Sequence, residues 1–423
     1  MKCNDKNRGT IIMRENELEF IPVILGGDIT TYSLARSFHE EYGVKSIAIS
    51  TVKNWLNSYS SIIDNIIEPK MNDLDTFIKR LVSLGEQYAE KKKLLLIACG
   101  DWYVRMIIEN RDTLEKYYVI PYIKEDLLNK LVLKDSFYEI CEETGVDYPD
   151  TFVYDVKEKN PIKLSFDFPV IAKPASSAEY HYAEFKGKKK VFKFDNMDEL
   201  KAMLSNLEQS SYGYKFLIQD FIPGDDNYMY ILTCYCDRNS KVRFMSFGHT
   251  VLEDHGDAAI GNPVAIINMV DRDVMDKSIR FLEETGYTGF ANFDIKYDVR
   301  DGKFKYFEVN TRLGRSNFYI TGSGFNAVKW IVDDLIYNKK FDDRIVIANN
   351  ENLYTVVPKS IVLAYCGTPE LKEQVKRLYR EGRVSNPLEY RDEKNIIHKL
   401  YTKYFMFKQK KRFNKFLKLE GRK

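Results

Sequence analysis

The sequence predicts an α/β protein, with a parallel βαβ domain at its start and a mixed α+β region after it. Two observations carry this. Residues Phe20–Leu25 form an apolar run that breaks at Gly26-Gly27-Asp28. Residues 30–42 then carry Leu34, Ala35 and Phe38 at helical spacing, and residues 44–49 are apolar again. Strand, glycine turn, helix and strand open a parallel unit, because parallel neighbours need a crossover between them. Much later, residues 290–296 alternate polar and apolar, residues 298–303 supply a turn, and residues 306–312 alternate once more. That is the pattern of an antiparallel hairpin.

Composition narrows the class. A chain of 423 residues is long enough for two or three domains, and 44% hydrophobic with 30% charged residues fits a globular protein. The net charge of +2 argues against nucleic acid as a partner of the whole chain. Cys3, Cys99, Cys141, Cys234, Cys236 and Cys366 are scattered with no C-x-x-C pair, so neither a zinc site nor a disulfide framework is indicated, and a reducing cytoplasm is the simplest setting. Residues 1–20 lack the apolar region of a signal peptide. No apolar run approaches the roughly 20 residues that span a bilayer.

In the first βαβ unit, Asp28 or Thr30 caps the helix. A phosphate could rest on that helix N-terminus, but the third glycine of a dinucleotide motif is missing, and a tight turn is the preferred reading. A second unit follows as a helix over 73–91, a buried strand over 94–99, and the turn Gly100-Asp101 into a helix near Trp102. Residues 134–144 read as a helix stopped by Gly145 with Pro149 beyond. Residues 168–174 read as a buried strand ending in Lys173-Pro174. Burying an ammonium without a partner is costly, so Lys173 sits at the strand's end or faces an anion. Residues 216–222 are extended and apolar, break at Pro223-Gly224 and resume as a strand over 228–234. Strand 242–249, helix 271–286, helix 325–337 and one more strand over 354–365 complete the pass, with His249 and His255 read as surface residues. The tail over 391–423 is basic and interleaved with aromatics. The preferred reading is a terminal helix packing its aromatics on the protein with its lysines solvated; an interfacial helix on an anionic membrane is the other.

The most chemical stretch is Tyr306-Phe307-Glu308-Val309-Asn310-Thr311-Arg312-Leu313-Gly314-Arg315. On a strand Glu308, Asn310 and Arg312 share one face, while Phe307, Val309 and Thr311 share the other. Carboxylate and amide oxygens suit Mg²⁺, which keeps substrate phosphates in its shell, and an arginine holds phosphoryl or carboxylate oxygens in a planar fork. A hairpin would set Asp294 beside Glu308. Glu308 and Asn310 alone would also fit an exposed hairpin with ordinary charges; the whole set outlines a phosphoryl-transfer site.

These residues, followed by Thr321-Gly322-Ser323-Gly324, resemble the metal-binding end of the ATP-grasp fold. The resemblance implies a Rossmann-like N-terminal domain over 1–125, a two-subdomain ATP-grasp domain over 126–345 with its hinge near 219–226, and a C-terminal extension over 346–423. It implies ATP and Mg²⁺ (or Mn²⁺) as cofactors, with Asp294, Glu308 and Asn310 on the metal. Lys134, with Lys130 as competitor, and Lys173 would meet the nucleotide. Residues 175–190, offering Ser176 and Ser177 where the family has glycines, would close over the phosphates, with His181 a lid or surface residue. Gln219, Asp220, Phe221 and Ile222 would flank the adenine, and Asp226 the ribose. The implied reaction is carboxylate–amine ligation through an acyl phosphate, with Arg312 and Arg315 stabilising the transferring group.

Within that superfamily the opening Phe20-Ile21-Pro22-Val23-Ile24-Leu25-Gly26-Gly27-Asp28, the run Tyr32-Ser33-Leu34-Ala35-Arg36-Ser37-Phe38 and Glu41-Tyr42-Gly43 are similar to bacterial D-aspartate ligases. The likeness implies a small amino acid as substrate and a UDP-linked or lipid-linked muramyl peptide as amine acceptor. The setting stays cytoplasmic, and the basic tail would suit an anionic or membrane-bound acceptor, with contact to the inner face of the membrane the second reading beside packing on the protein. A ligase for another amino acid or cell-surface polymer precursor is an alternative, as is a silent nucleotide-binding sensor, which has no need of the metal triad.

Overall fold

The computed structural model describes residues 19–176, 180, 183–185, 187–256 and 259–420. Three sheets organise them. The first is parallel, with β1 (Phe20–Leu25), β2 (Ser46–Ser50), β3 (Ile63–Ile67), β4 (Lys93–Ala98) and β5 (Tyr118–Val119) in the order β3-β2-β1-β4-β5. The apolar run of β1 is the centre of this sheet, with Val23, Ile24 and Leu25 fully buried. Asp28 caps the helix Ile29–Tyr42, accepting from Thr30 N at 2.9 Å. Gly26 makes the turn at φ 156°, where an added Cβ would lie 2.6 Å from Thr31 Oγ1 and 2.8 Å from Cys99 Cβ. Only glycine fits there. The short β3 and β5 escaped sequence reading: one is mixed in polarity and the other is two residues long.

The second sheet is antiparallel: β6 (Thr151–Asp155), β7 (Val170–Pro174), β8 (Phe192–Phe194) and β9 (Lys215–Asp220), ordered β6-β9-β7-β8. The helix Lys134–Thr144 precedes it and ends on Gly145 in the left-handed region at φ 70°.

The third sheet holds β10 (Met229–Cys236), β11 (Val242–Glu253), β12 (Pro263–Met269), β13 (Gly289–Asp298), β14 (Lys303–Asn310), β15 (Val346–Ile347), β16 (Leu353–Thr355) and β17 (Val384–Ser385). The order is β14-β13-β10-β11-β12-β16-β17, with β15 on β11. Residues beyond 345 thus add strands to this sheet. Residues 354–365, expected as one strand, are instead the end of β16 and a helix, Lys359–Tyr365. Pro358 has no N–H to continue a ladder, and Ile361, Val362 and Tyr365, all buried, repeat at helical rather than strand spacing. One continuous core joins the Ile29–Tyr42 helix to this sheet and to the helix Ala327–Leu335. Among the described residues no helix is long and apolar enough to cross a membrane.

Candidate active site

The hairpin of β13 and β14 sets the site. Asp294 lies directly opposite Glu308 and Asn292 opposite Asn310, but the register then shifts, so that Ile295 pairs with Tyr306. Phe307 is therefore an extra residue, a β-bulge, and a bulge turns its side chain away from strict alternation. The expectation that Phe307 faces the packing side is corrected by this: it lines the same cleft as Glu308 and Asn310, with Lys173 Nζ 5.8 Å from its ring centre. Tyr306 and Val309 are buried in the core beneath.

The cleft has a volume of about 590 Å³ and is bounded by Lys134, Lys173, Asp294, Glu308, Asn310 and Arg312, with Arg315 and Glu253 at its edges. Lys134 Nζ donates to Glu308 Oε2 at 3.0 Å. Burial works to raise the Glu308 carboxyl, but the Lys134 and Lys173 ammoniums hold it well below the usual range. Asp294 is the converse: burial and the facing Glu308 charge push its carboxyl up. Asn310 Nδ2 donates to Asp294 Oδ2 at 3.2 Å and Asn292 Nδ2 to Oδ1 at 3.5 Å. Lys173 is pushed down to about 7, first by burial and then by Lys134.

Such a site has an excess of like charge on each side. Two adjacent carboxylates repel, and a divalent cation between them would relieve that; two desolvated ammoniums repel, and a polyphosphate would relieve them. Among the described residues no group of three His, Cys, Asp or Glu side chains is placed to hold a metal. Asp294, Glu308 and Asn310 supply two carboxylates and one amide, so a hard cation bound here needs phosphate and water oxygens to complete its shell.

Arg312 and Arg315 reach across to the N-terminal sheet. Arg312 Nη2 donates to Asp101 Oδ2 at 2.8 Å, and its Nε lies 2.8 Å from Oδ1 of the same carboxylate, so the guanidinium forks onto Asp101. Arg315 Nη1 donates to Asp28 Oδ2 at 2.7 Å. Asp28 and Asp101 stand at the starts of the two helices that follow β1 and β4. Both partners were missed as site residues: nothing local links Asp28 to Arg315, 287 positions on.

The residues expected at the hinge stand outside the cleft lining. Gln219 Nε2 donates to Thr151 Oγ1 at 2.7 Å, Asp220 is paired with Arg300, and Phe221 lies 4.2 Å under Lys193 Nζ. Ile222 is buried. Asp226 Oδ2 accepts from Glu253 N at 3.0 Å and meets His255 Nε2 at 2.7 Å, whose Nδ1 meets Glu420 at 2.6 Å. His255 is thus no plain surface residue. Nor is His249, which stacks on Tyr230 with ring centres 4.7 Å apart and bonds Asn227 O at 2.6 Å. Glu253, also missed, lines the cleft with its carboxyl pushed up to about 8 by burial and by Asp226 and Asp294. Ser176 O accepts from Tyr180 N at 3.1 Å; Ser177 and His181 lie outside the described residues.

No family model matches the chain. It is 38% identical over 413 residues to the D-aspartate ligase of Enterococcus faecium (strain Aus0004), covering 95% of this chain and 97% of that one. Among solved structures, the L-amino acid ligase from Bacillus licheniformis aligns at a TM-score of 0.51 with 12% identity, over 74% of each chain. The MgADP-bound biotin carboxylase domain of the Hydrogenobacter thermophilus 2-oxoglutarate carboxylase aligns at 0.57 with 15% identity, over 78% of this chain and 72% of that one. These two share the fold. A relative matched along nearly its whole length, on that fold, makes this chain an ADP-forming ATP-grasp ligase that belongs to the D-aspartate ligase family.

Proposed function

We propose that this ligase joins the β-carboxylate of D-aspartate to a lysine ε-amine of a peptidoglycan precursor. The observation that carries the substrate is the 38% identity to a D-aspartate ligase over 95% of the chain. The cleft supports it chemically. Two guanidinium groups, each facing a carboxylate from the other side, are what a dicarboxylic amino acid with an ammonium group needs.

In this reading Lys134 and Lys173 hold the phosphates of ATP, and Asp294, Glu308 and Asn310 hold Mg²⁺, or Mn²⁺ with the same oxygen preference. The cation, when bound, neutralises charge on the transferring phosphoryl group. Arg315 reads the α-carboxylate and Asp28 the ammonium. Arg312 stabilises the γ-phosphoryl oxygens. The β-carboxylate oxygen bonds to the γ-phosphorus as the bond to ADP breaks. The lysine amine then attacks the acyl carbon, phosphate leaves, and the amine proton passes to solvent. Ser176 and Ser177 are assigned to the phosphate lid. Gln219, Asp220, Phe221 and Ile222 are assigned to the adenine and Asp226 to the ribose, which requires the subdomains to draw together when ATP binds. The acceptor is a UDP-linked or lipid-linked muramyl peptide, met on the cytoplasmic side of the membrane.

The test measures ADP and phosphate release with Mg-ATP, screening D-aspartate and other amino acids with and without a UDP-linked muramyl peptide, beside Glu308→Gln. Release that needs both D-aspartate and the peptide, and is absent from the variant, is expected. Release with a different amino acid would replace D-aspartate; none with any amino acid, despite ATP binding, would favour a sensor.

A further inference from the structure

The helix Ile396–Leu419 is apolar on two opposite sides. On one side Phe413 and Leu417 are buried, with Tyr401, Phe405 and Phe416 packed against the same core. This much matches a terminal helix docking on the protein. On the other side Ile396, Leu400 and Phe407 recur at intervals of four and seven, which at about 100° per residue keeps them within one narrow stripe. They are 66%, 60% and 64% exposed. Tyr404 borders the stripe and is half exposed; Phe413, nine residues on, faces the opposite way.

Lys403 falls in the same stripe between Leu400 and Phe407, and Lys411 and Lys418 continue the intervals, so the apolar side chains are interleaved with basic ones and then followed by them. Between Ile396 and Leu419 there are eight basic residues and no acidic one. That composition selects the occupant. A second copy of the helix would bring like charge against like charge, whereas an anionic surface is attracted by the lysines and receives the apolar side chains between its headgroups. Lysine stems suit this geometry, since they lie along apolar surface while the ammonium reaches outward; Lys408 Nζ already sits 5.1 Å over the Tyr404 ring.

We propose that the exposed face of this helix docks the ligase on an anionic lipid bilayer, the apolar stripe from Ile396 to Phe407 entering the headgroup layer and Lys411 and Lys418 meeting lipid phosphates. It does not depend on which amino acid the enzyme ligates.

The full chain is sedimented with vesicles of equimolar phosphatidylglycerol and phosphatidylcholine, and with phosphatidylcholine alone, at low and high salt and with no nucleotide present. Two variants accompany it, Leu400→Asp/Phe407→Asp and Lys411→Glu/Lys418→Glu. All four positions are on the exposed face, away from the cleft, so vesicle-free ATP turnover stays unchanged. The expected result is binding to the anionic vesicles that weakens with salt and falls about tenfold or more in each variant. Failure of the parent chain to bind anionic vesicles overturns the proposal, as does binding that both variants retain. A parent chain that is dimeric and becomes monomeric through Leu400→Asp/Phe407→Asp would overturn it in favour of a second copy. Because no ligase substrate is used, failure here leaves the reading of the active site untouched.

Discussion

Replacing Arg315 by methionine separates a structural role from a substrate role, because the two differ in size. Its ion pair with Asp28 spans 2.7 Å, but the two side chains are 37% and 39% exposed. A pair that wet is worth roughly 0–1 kcal/mol after screening, so Arg315→Met is expected to leave the melting temperature within about 3 °C. A charge-assisted hydrogen bond to a substrate carboxylate is worth about 1.5–3 kcal/mol, which corresponds to a loss of about 10- to 150-fold in kcat/KM for D-aspartate. The decisive comparison uses β-alanine, which keeps the amine and the reacting carboxylate but lacks the α-carboxylate. If Arg315 reads that carboxylate, the parent enzyme turns over β-alanine poorly and Arg315→Met makes it no worse. Steady-state ADP release with both substrates measures this directly. An equal penalty on D-aspartate and β-alanine would refute the assignment and return Arg315 to the transferring phosphoryl group; no penalty on either would make it a tether to Asp28 alone.

Three further outcomes follow from the same geometry. Asp294→Asn removes one of two facing carboxylates, so in EDTA it is expected to raise the melting temperature, by roughly 2–4 °C for each kcal/mol of repulsion relieved, while abolishing turnover and the extra stability that Mg-ATP gives the parent. A lower melting temperature would show that the carboxylates do not repel. Gly314→Ala would place a Cβ 3.0 Å from Asn292 Oδ1, which is itself held by Thr233 at 2.8 Å. An overpacking cost of about 1–3 kcal/mol with a fall in kcat is expected, and full activity would mean that Asn292 moves aside freely. His255 is pushed up to about 9 by its hydrogen bond to Asp226, against the effect of burial. A raised histidine stabilises the fold fully below its ordinary 6.5 and loses that contribution as pH rises through about 9. The stability gap between parent and His255→Gln is therefore expected to reach at most about 3 kcal/mol near pH 6 and to close by pH 10 in thermal melts. A gap that is constant across that range would show the histidine to be neutral in the fold.

What the sequence made legible is what is local in it. Asp294 opposite Glu308 needed only two alternating runs and a turn of a few residues, and the Asp28 cap only a residue type two positions before its donor. The bulge at Phe307 left no mark, because a bulge is set by how two strands register and not by which residue is extra. The helix over Lys359–Tyr365 was read as strand because aromatic and branched residues favour strands on average, while the missing N–H of Pro358 decided the case. The closure of the site on Asp28 and Asp101, and of Asp226 on His255 and Glu420, lay beyond any window of the sequence, since each joins charges that only folding brings together. Glu420 is the C-cap of the same helix whose other face carries the apolar stripe, and through His255 it grips Asp226 at the junction of the second and third sheets.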